Sequence, residues 1–98
     1  MGQLYYKGAG QPLEIEDRTL AHLRVIFMTK LRRGEPFLFE TSSPHGTGHR
    51  EFWIHPSLPL QFHFAGSRSP QLNPRWIDAL MASANGPAGL QIVPEPQA

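Results

Sequence analysis

The chain has 98 residues, no cysteine, and nine Lys and Arg against eight Asp and Glu, for a formal charge of +1. That length suits one domain with a radius of gyration of roughly 13 Å that buries about two-thirds of its unfolded surface, and leaves no room for a two-domain nucleotide-binding enzyme. Without cysteine there is no disulfide framework, thiolate zinc site or thiol nucleophile, which fits a reducing, cytoplasmic setting.

The longest apolar run, Val25-Ile26-Phe27-Met28, is far below a membrane span, and Met1-Gly2-Gln3-Leu4 lacks the basic and apolar regions of a secretion signal, so no membrane partner is expected. Leu4-Tyr5-Tyr6 and Leu13-Glu14-Ile15-Glu16 read as two short strands forming a hairpin, with Leu13 and Ile15 facing inward and Glu14 and Glu16 facing water. Asp17 is the expected N-cap of a first helix, Arg18 to Arg33 contains neither Gly nor Pro, and Gly34 sits where a C-cap glycine belongs. Leu20, Leu23, Phe27 and Leu31 form its stripe, flanked by Ile26 and Met28; Arg24 interrupts it, and His22 points away from it into solvent. The apolar arc is wider than one sheet requires, so a second element or a second subunit should cover its flank.

Three aromatic strands follow: 36–41 with Phe37 and Phe39 inward, 50–54 with Phe52 and Ile54 inward and Trp53 outward, and 60–64 with Leu60, Phe62 and Phe64 inward and Gln61 and His63 outward. Their short connections suggest an antiparallel meander. A second helix opens with Asn73 as N-cap and Pro74 at its first position; Trp76, Ile77, Leu80, Met81 and Ala84 form its stripe, and Asn85-Gly86-Pro87 ends it. Leu90-Gln91-Ile92-Val93 is a last strand, and residues 94–98 form a short Pro-rich tail. The whole reads as a single α+β domain over residues 1–98, order ββ-α-βββ-α-β. Its expected core is one antiparallel or mixed sheet of five to six strands with both helices on one face.

Several clusters bear on chemistry. His45, His49 and His55 fall within eleven residues, with Glu51 near, but show no fixed ligand spacing; surface or turn histidines are the simpler account, and no metal or other cofactor is expected. Gly66-Ser67-Arg68-Ser69-Pro70 is a better anion site: the Ser67 and Ser69 hydroxyls, the Arg68 fork and the following helix N-terminus all suit one phosphate or carboxylate. Arg75, Lys30, Arg32 and Arg33 extend this to a candidate nucleic-acid surface. Against it stand the near-neutral net charge and the helix dipole, which by itself accounts for cations in a last turn. Catalysis has little support: there is no G-x-S-x-G elbow, and a Ser67–His63–Asp78 grouping is unconstrained. The first reading is therefore a non-catalytic interaction module, homo-oligomeric or partner-binding, through an open sheet face with Tyr5, Trp53 and His63 and through Arg24 and Met28 of the first helix. A nucleic-acid or phosphate-binding accessory role is the alternative, and a small hydrolytic or ligase-like enzyme the third.

The ordered blocks Met1-Gly2-Gln3-Leu4-Tyr5-Tyr6, Asp17 to Leu23, Lys30 to Glu35, Trp53-Ile54-His55-Pro56, Gly66 to Pro70, Asn73 to Asn85 and Gly89 to Pro96 carry a resemblance. The chain resembles a set of short actinobacterial proteins of unknown function, about this length, often labelled "ATP-dependent DNA ligase". It departs from them at Glu16-Asp17, where relatives commonly read Asp-Asp, and in the loop 42–49. The resemblance implies a complete cytoplasmic protein, with a faint link to DNA repair. Ligase chemistry itself needs a Lys in a K-x-D-G motif, and neither Lys7 nor Lys30 begins one.

Overall fold

The computed structural model describes residues 1–6, 11–42 and 48–97. Eight elements follow one another in the expected order: β1 (Gly2–Tyr6), β2 (Leu13–Ile15), α1 (Asp17–Arg32), β3 (Phe37–Ser42), β4 (His49–Ile54), β5 (Leu60–His63), α2 (Pro74–Ala84) and β6 (Leu90–Gln91). The class is α+β, but the strands divide between two three-stranded sheets, β2-β1-β5 and β4-β3-β6, instead of forming one. The hairpin holds, with Gln3 opposite Glu14, and β3 pairs with β4 from Phe37 opposite Ile54 to Ser42 opposite His49.

The meander breaks after β4. A turn closes where Leu58 N–H donates to His55 O at 3.2 Å. Pro56 and Pro59 flank it without N–H groups to offer a ladder. The chain leaves β4 and lays β5 antiparallel on the second edge of β1, with Leu4 opposite Phe62. On the other sheet β6 returns parallel to β3, Phe39 opposite Leu90. The close approach there depends on Gly89, at φ 81°, where a Cβ would stand 2.6 Å from Leu38 O.

One core joins the two sheets and the two helices. Phe27 of α1 lies at its centre, edge-on to Phe37 and Phe39 of β3 at 5.0 and 5.3 Å and to Phe62 of β5 at 5.7 Å, the arrangement aromatic quadrupoles favour. The Tyr6 O–H donates to Trp53 O, linking the end of β1 to β4. The wide apolar arc of α1 is met by α2, which buries Trp76, Leu80 and Ala84. Gly34, at φ 71°, ends α1 in a Schellman arrangement: Glu35 N–H donates to Lys30 O and Gly34 N–H to Leu31 O, both at 3.0 Å.

Two local expectations are corrected. Asp17 is the first helical residue, not the cap; Glu16 holds the cap position without a side-chain bond. His22 is fully buried, not solvated, because α2 packs over the part of α1 that the hydrophobic stripe left out.

Candidate functional site

Two sites lie against α1, and they differ in how far their polar groups are satisfied. The first is a seam between α1, the start of α2 and the C-terminal segment. His22 Nδ1 meets Arg18 O at 2.7 Å; a carbonyl only accepts, so this nitrogen carries the proton. Its Nε2 therefore accepts, from Asn73 N–H at 2.8 Å, and the ring packs on Trp76 with centroids 4.5 Å apart. Asn73 Oδ1 takes the Arg75 N–H at 3.0 Å, as the sequence predicts for a cap, while its Nδ2 donates to Glu95 Oε2 at 2.9 Å and Pro96 O at 3.0 Å.

Arg18 closes the seam with a fork onto Glu95, Nε to Oε1 at 2.8 Å and Nη2 to Oε2 at 2.6 Å, and its Nη1 donates to Gln71 O at 2.8 Å. These bonds hold the Glu95 carboxyl far below its ordinary 4.5, at about 2, first through Arg18 and then through Asn73. Trp76 Nε1–H donates to Val93 O at 2.9 Å. Val93, expected at the end of the last strand, and residues 94–97 of the expected tail are thus fastened to both helices.

The second site is a cleft of about 380 Å³ between α1, which supplies Ala21 and Arg24, and the segment after β5, which supplies Phe64, residues 66–70 and Leu72. The segment is held by Asp17, whose carboxylate accepts from Gly66 N–H at 2.8 Å and Ala65 N–H at 3.1 Å. Those two amides, Gly66 first, hold the Asp17 carboxyl below its usual 3.8. Arg18, through Gln71 O, pins the segment's far end. Between these anchors Ser67, Arg68 and Ser69 are exposed, and they line the cleft together with Arg24. No carboxylate lines it, and among the described residues the side chain of neither Arg24 nor Arg68 makes an ion pair or hydrogen bond.

The other residues singled out in the sequence scatter. Lys30 turns inward, 8% exposed, bonded to Asn85 Oδ1 and 3.4 Å from Glu35, which removes it from any surface cluster. Arg32 and Arg33 are exposed at the far end of α1. Arg75 donates to Gln97 O at 3.2 Å. Tyr5 and His63 share the outer face of the β2-β1-β5 sheet with Gln3 and Gln61, while Trp53, 57% exposed, stands on the other sheet. The expected single aromatic row is therefore two separate faces. Met28 is half-buried one turn beyond Arg24.

His49 lies 3.3 Å from Glu51 and 3.8 Å from Glu40, His55 bonds Ser57 at 2.8 Å, and His45 lies outside the described residues. Among the described residues no group of three or more His, Asp or Glu is placed to hold a metal ion. Ser67 lines the cleft, whereas neither His63 nor Asp78 does. Among the described residues no helix is long and apolar enough to cross a membrane. Sequence reasoning found the 66–70 segment but missed Asp17 as its anchor and placed Arg24 at an interface. The approach of residues 17 and 24 to 65–68 is a long-range contact with no local signature.

The chain belongs to the family described as "Domain of unknown function (DUF7882)", whose model matches residues 1–95. No curated protein and no solved structure matches it.

Proposed function

We propose that the protein is a non-catalytic binding module that receives a phosphate-bearing ligand in the cleft between α1 and residues 64–72. One observation carries the reading: Arg24 and Arg68 line the same cleft with two serine hydroxyls and no carboxylate. Two guanidinium groups that line one cleft without an ion pair to any carboxylate leave their charge for an anion to take up. The planar forks suit phosphate oxygens, and the serines add neutral donors. The apolar side of the cleft, Phe64, Pro70 and Leu72, gives the ligand's remainder a surface to cover. The reading assigns no bond-making step and calls for no cofactor.

Calorimetric titration with pyrophosphate tests it. Binding should weaken about tenfold with Arg24→Gln and again with Arg68→Gln, the loss expected when a charged hydrogen-bonding partner is removed. Binding indifferent to both substitutions would remove the cleft from consideration.

Self-association is a second reading, favoured by the large exposed indole of Trp53 on β4. Light scattering at ~100 µM should then give a dimer that Trp53→Ser dissolves; a monomer at that concentration ends this reading.

A further inference from the structure

We infer that the cleft is the head of a longer basic track along α1, and that its ligand is a single-stranded polynucleotide running from Arg68 past Arg24 to Arg32. The inference rests on the reading of the cleft as a phosphate site and adds a direction and a polymer to it. From Arg18 to Arg33 the helix contains no Asp or Glu and five cations: Arg18, Arg24, Lys30, Arg32 and Arg33. Two are already engaged, Arg18 with Glu95 and Lys30 with Asn85 and Glu35. The other three are exposed and make no ion pair among the described residues.

Their placement is directional. The 65–72 segment lies along the N-terminal half of α1, tied to it at Asp17 and Arg18 and sharing the cleft with Ala21 and Arg24. Beyond Arg24, Met28 and Arg32 follow at i+4 and i+8, a path that winds about 80° around the axis. At 1.5 Å per residue, Arg32 stands about 12 Å further along the axis than Arg24. A stacked strand advances ~3.4 Å per phosphate, so that interval spans roughly three phosphodiesters.

The helix dipole explains cations in the last turn, but not Arg24 in the middle, whose i±3 and i±4 neighbours are Ala21, Leu20, Phe27 and Met28. A small phosphate ester would be satisfied within the cleft and leave Arg32 idle. A duplex keeps its base faces stacked inside, whereas an unpaired strand has base faces free to lay on Phe64, Leu72 and Met28, and Leu72 is 44% exposed. With a net charge of +1, binding must come from this local alignment rather than from the surface as a whole.

Fluorescence anisotropy of the full chain with a labelled oligothymidylate about twelve nucleotides long, across a salt series, provides the test. Three arginines on phosphates predict a log–log salt slope of about −2, at roughly −0.7 per contact. Arg32→Gln should weaken oligonucleotide binding several-fold and flatten the slope by ~0.7, while pyrophosphate binding is unchanged. Arg24→Gln should weaken both ligands.

If pyrophosphate binds through Arg24 and Arg68 but the oligonucleotide binds no tighter, or its slope ignores Arg32→Gln, the track is wrong and the cleft stands. Equal or tighter binding of a duplex overturns the single-strand assignment. Failure of pyrophosphate and oligonucleotide alike overturns the track and the cleft together.

Discussion

Arg18 and Arg24 stand six residues apart on one helix, yet their surroundings are opposite. The guanidinium of Arg18 forks onto Glu95 and donates a further bond to Gln71 O, within a seam where His22, Asn73 and Trp76 also have their partners. Arg24 lines a cleft with Arg68, Ser67 and Ser69, and no carboxylate is among the lining residues. Complete satisfaction is the mark of a structural polar network, since each partner lost inside a protein costs more than a bond in water returns. Arginines without an internal partner add nothing comparable to the fold, and the proposed ligand is the partner they would take.

The contrast fails if the seam can be cut without cost. His22→Ala should be the most damaging change: it strips the acceptor from Asn73 N–H and opens space beside Trp76. A loss of about 3 kcal/mol in chemical denaturation is expected, or a fall of ~15 °C in Tm. A change below ~0.5 kcal/mol would mean the seam is decoration.

Asn73→Ala should cost less, about 1–2 kcal/mol, by removing the cap of α2. It also releases Glu95 and Pro96, so hydrogen exchange should accelerate in residues 93–97 ahead of the core.

Acid provides a third cut. Glu95 is a stronger acid folded than unfolded, as is Asp17, so each contributes stability above its unfolded pKa and loses it as protons bind. The decline should begin near the ordinary 4.5 of Glu95 and run down toward about 2. Glu95→Gln should flatten that limb of the pH–stability curve, and an unchanged limb would show that the pair does not couple to folding.

On the other side of the comparison, Arg24→Gln and Arg68→Gln should leave stability within ~0.5 kcal/mol of the parent while each weakens pyrophosphate binding about tenfold. A marked loss of stability from either would place these arginines in the same structural class as Arg18.

What the sequence made legible follows the range of each interaction. Gly34 and the Asn73-Pro74 start of α2 are local chemistry, readable in a few residues, and they stand as expected. Strand alternation also reads directly, because Phe37, Phe39 and Ile54 are buried at period two while Trp53 is out. The departures all involve distant partners. His22 lies off the stripe that faces the sheets, and only the docking of Trp76 makes its position interior. Asp17 has the composition of a cap, but the amides of Ala65 and Gly66 claim it. The choice of β5 to join β1, which splits the expected single sheet, is another such contact. For the cleft, Arg68 and its serines were readable as a motif, and Arg24 was not, because two elements distant in sequence have to meet before it becomes part of the site.

The Arg18–Glu95 fork joins residues 77 positions apart. During synthesis α1 emerges well before the carboxylate that engages Arg18. Until then α2 lacks the partner for its Asn73 amide, and Val93 is not yet there to receive the Trp76 indole. Residues 93–97 are therefore a latch that can close on α1 and the start of α2 only after both have been made. A recombinant form shortened before Pro94 would present its arginine at position 18 beside the one at position 24, and so enlarge the very cationic surface that the latch normally limits.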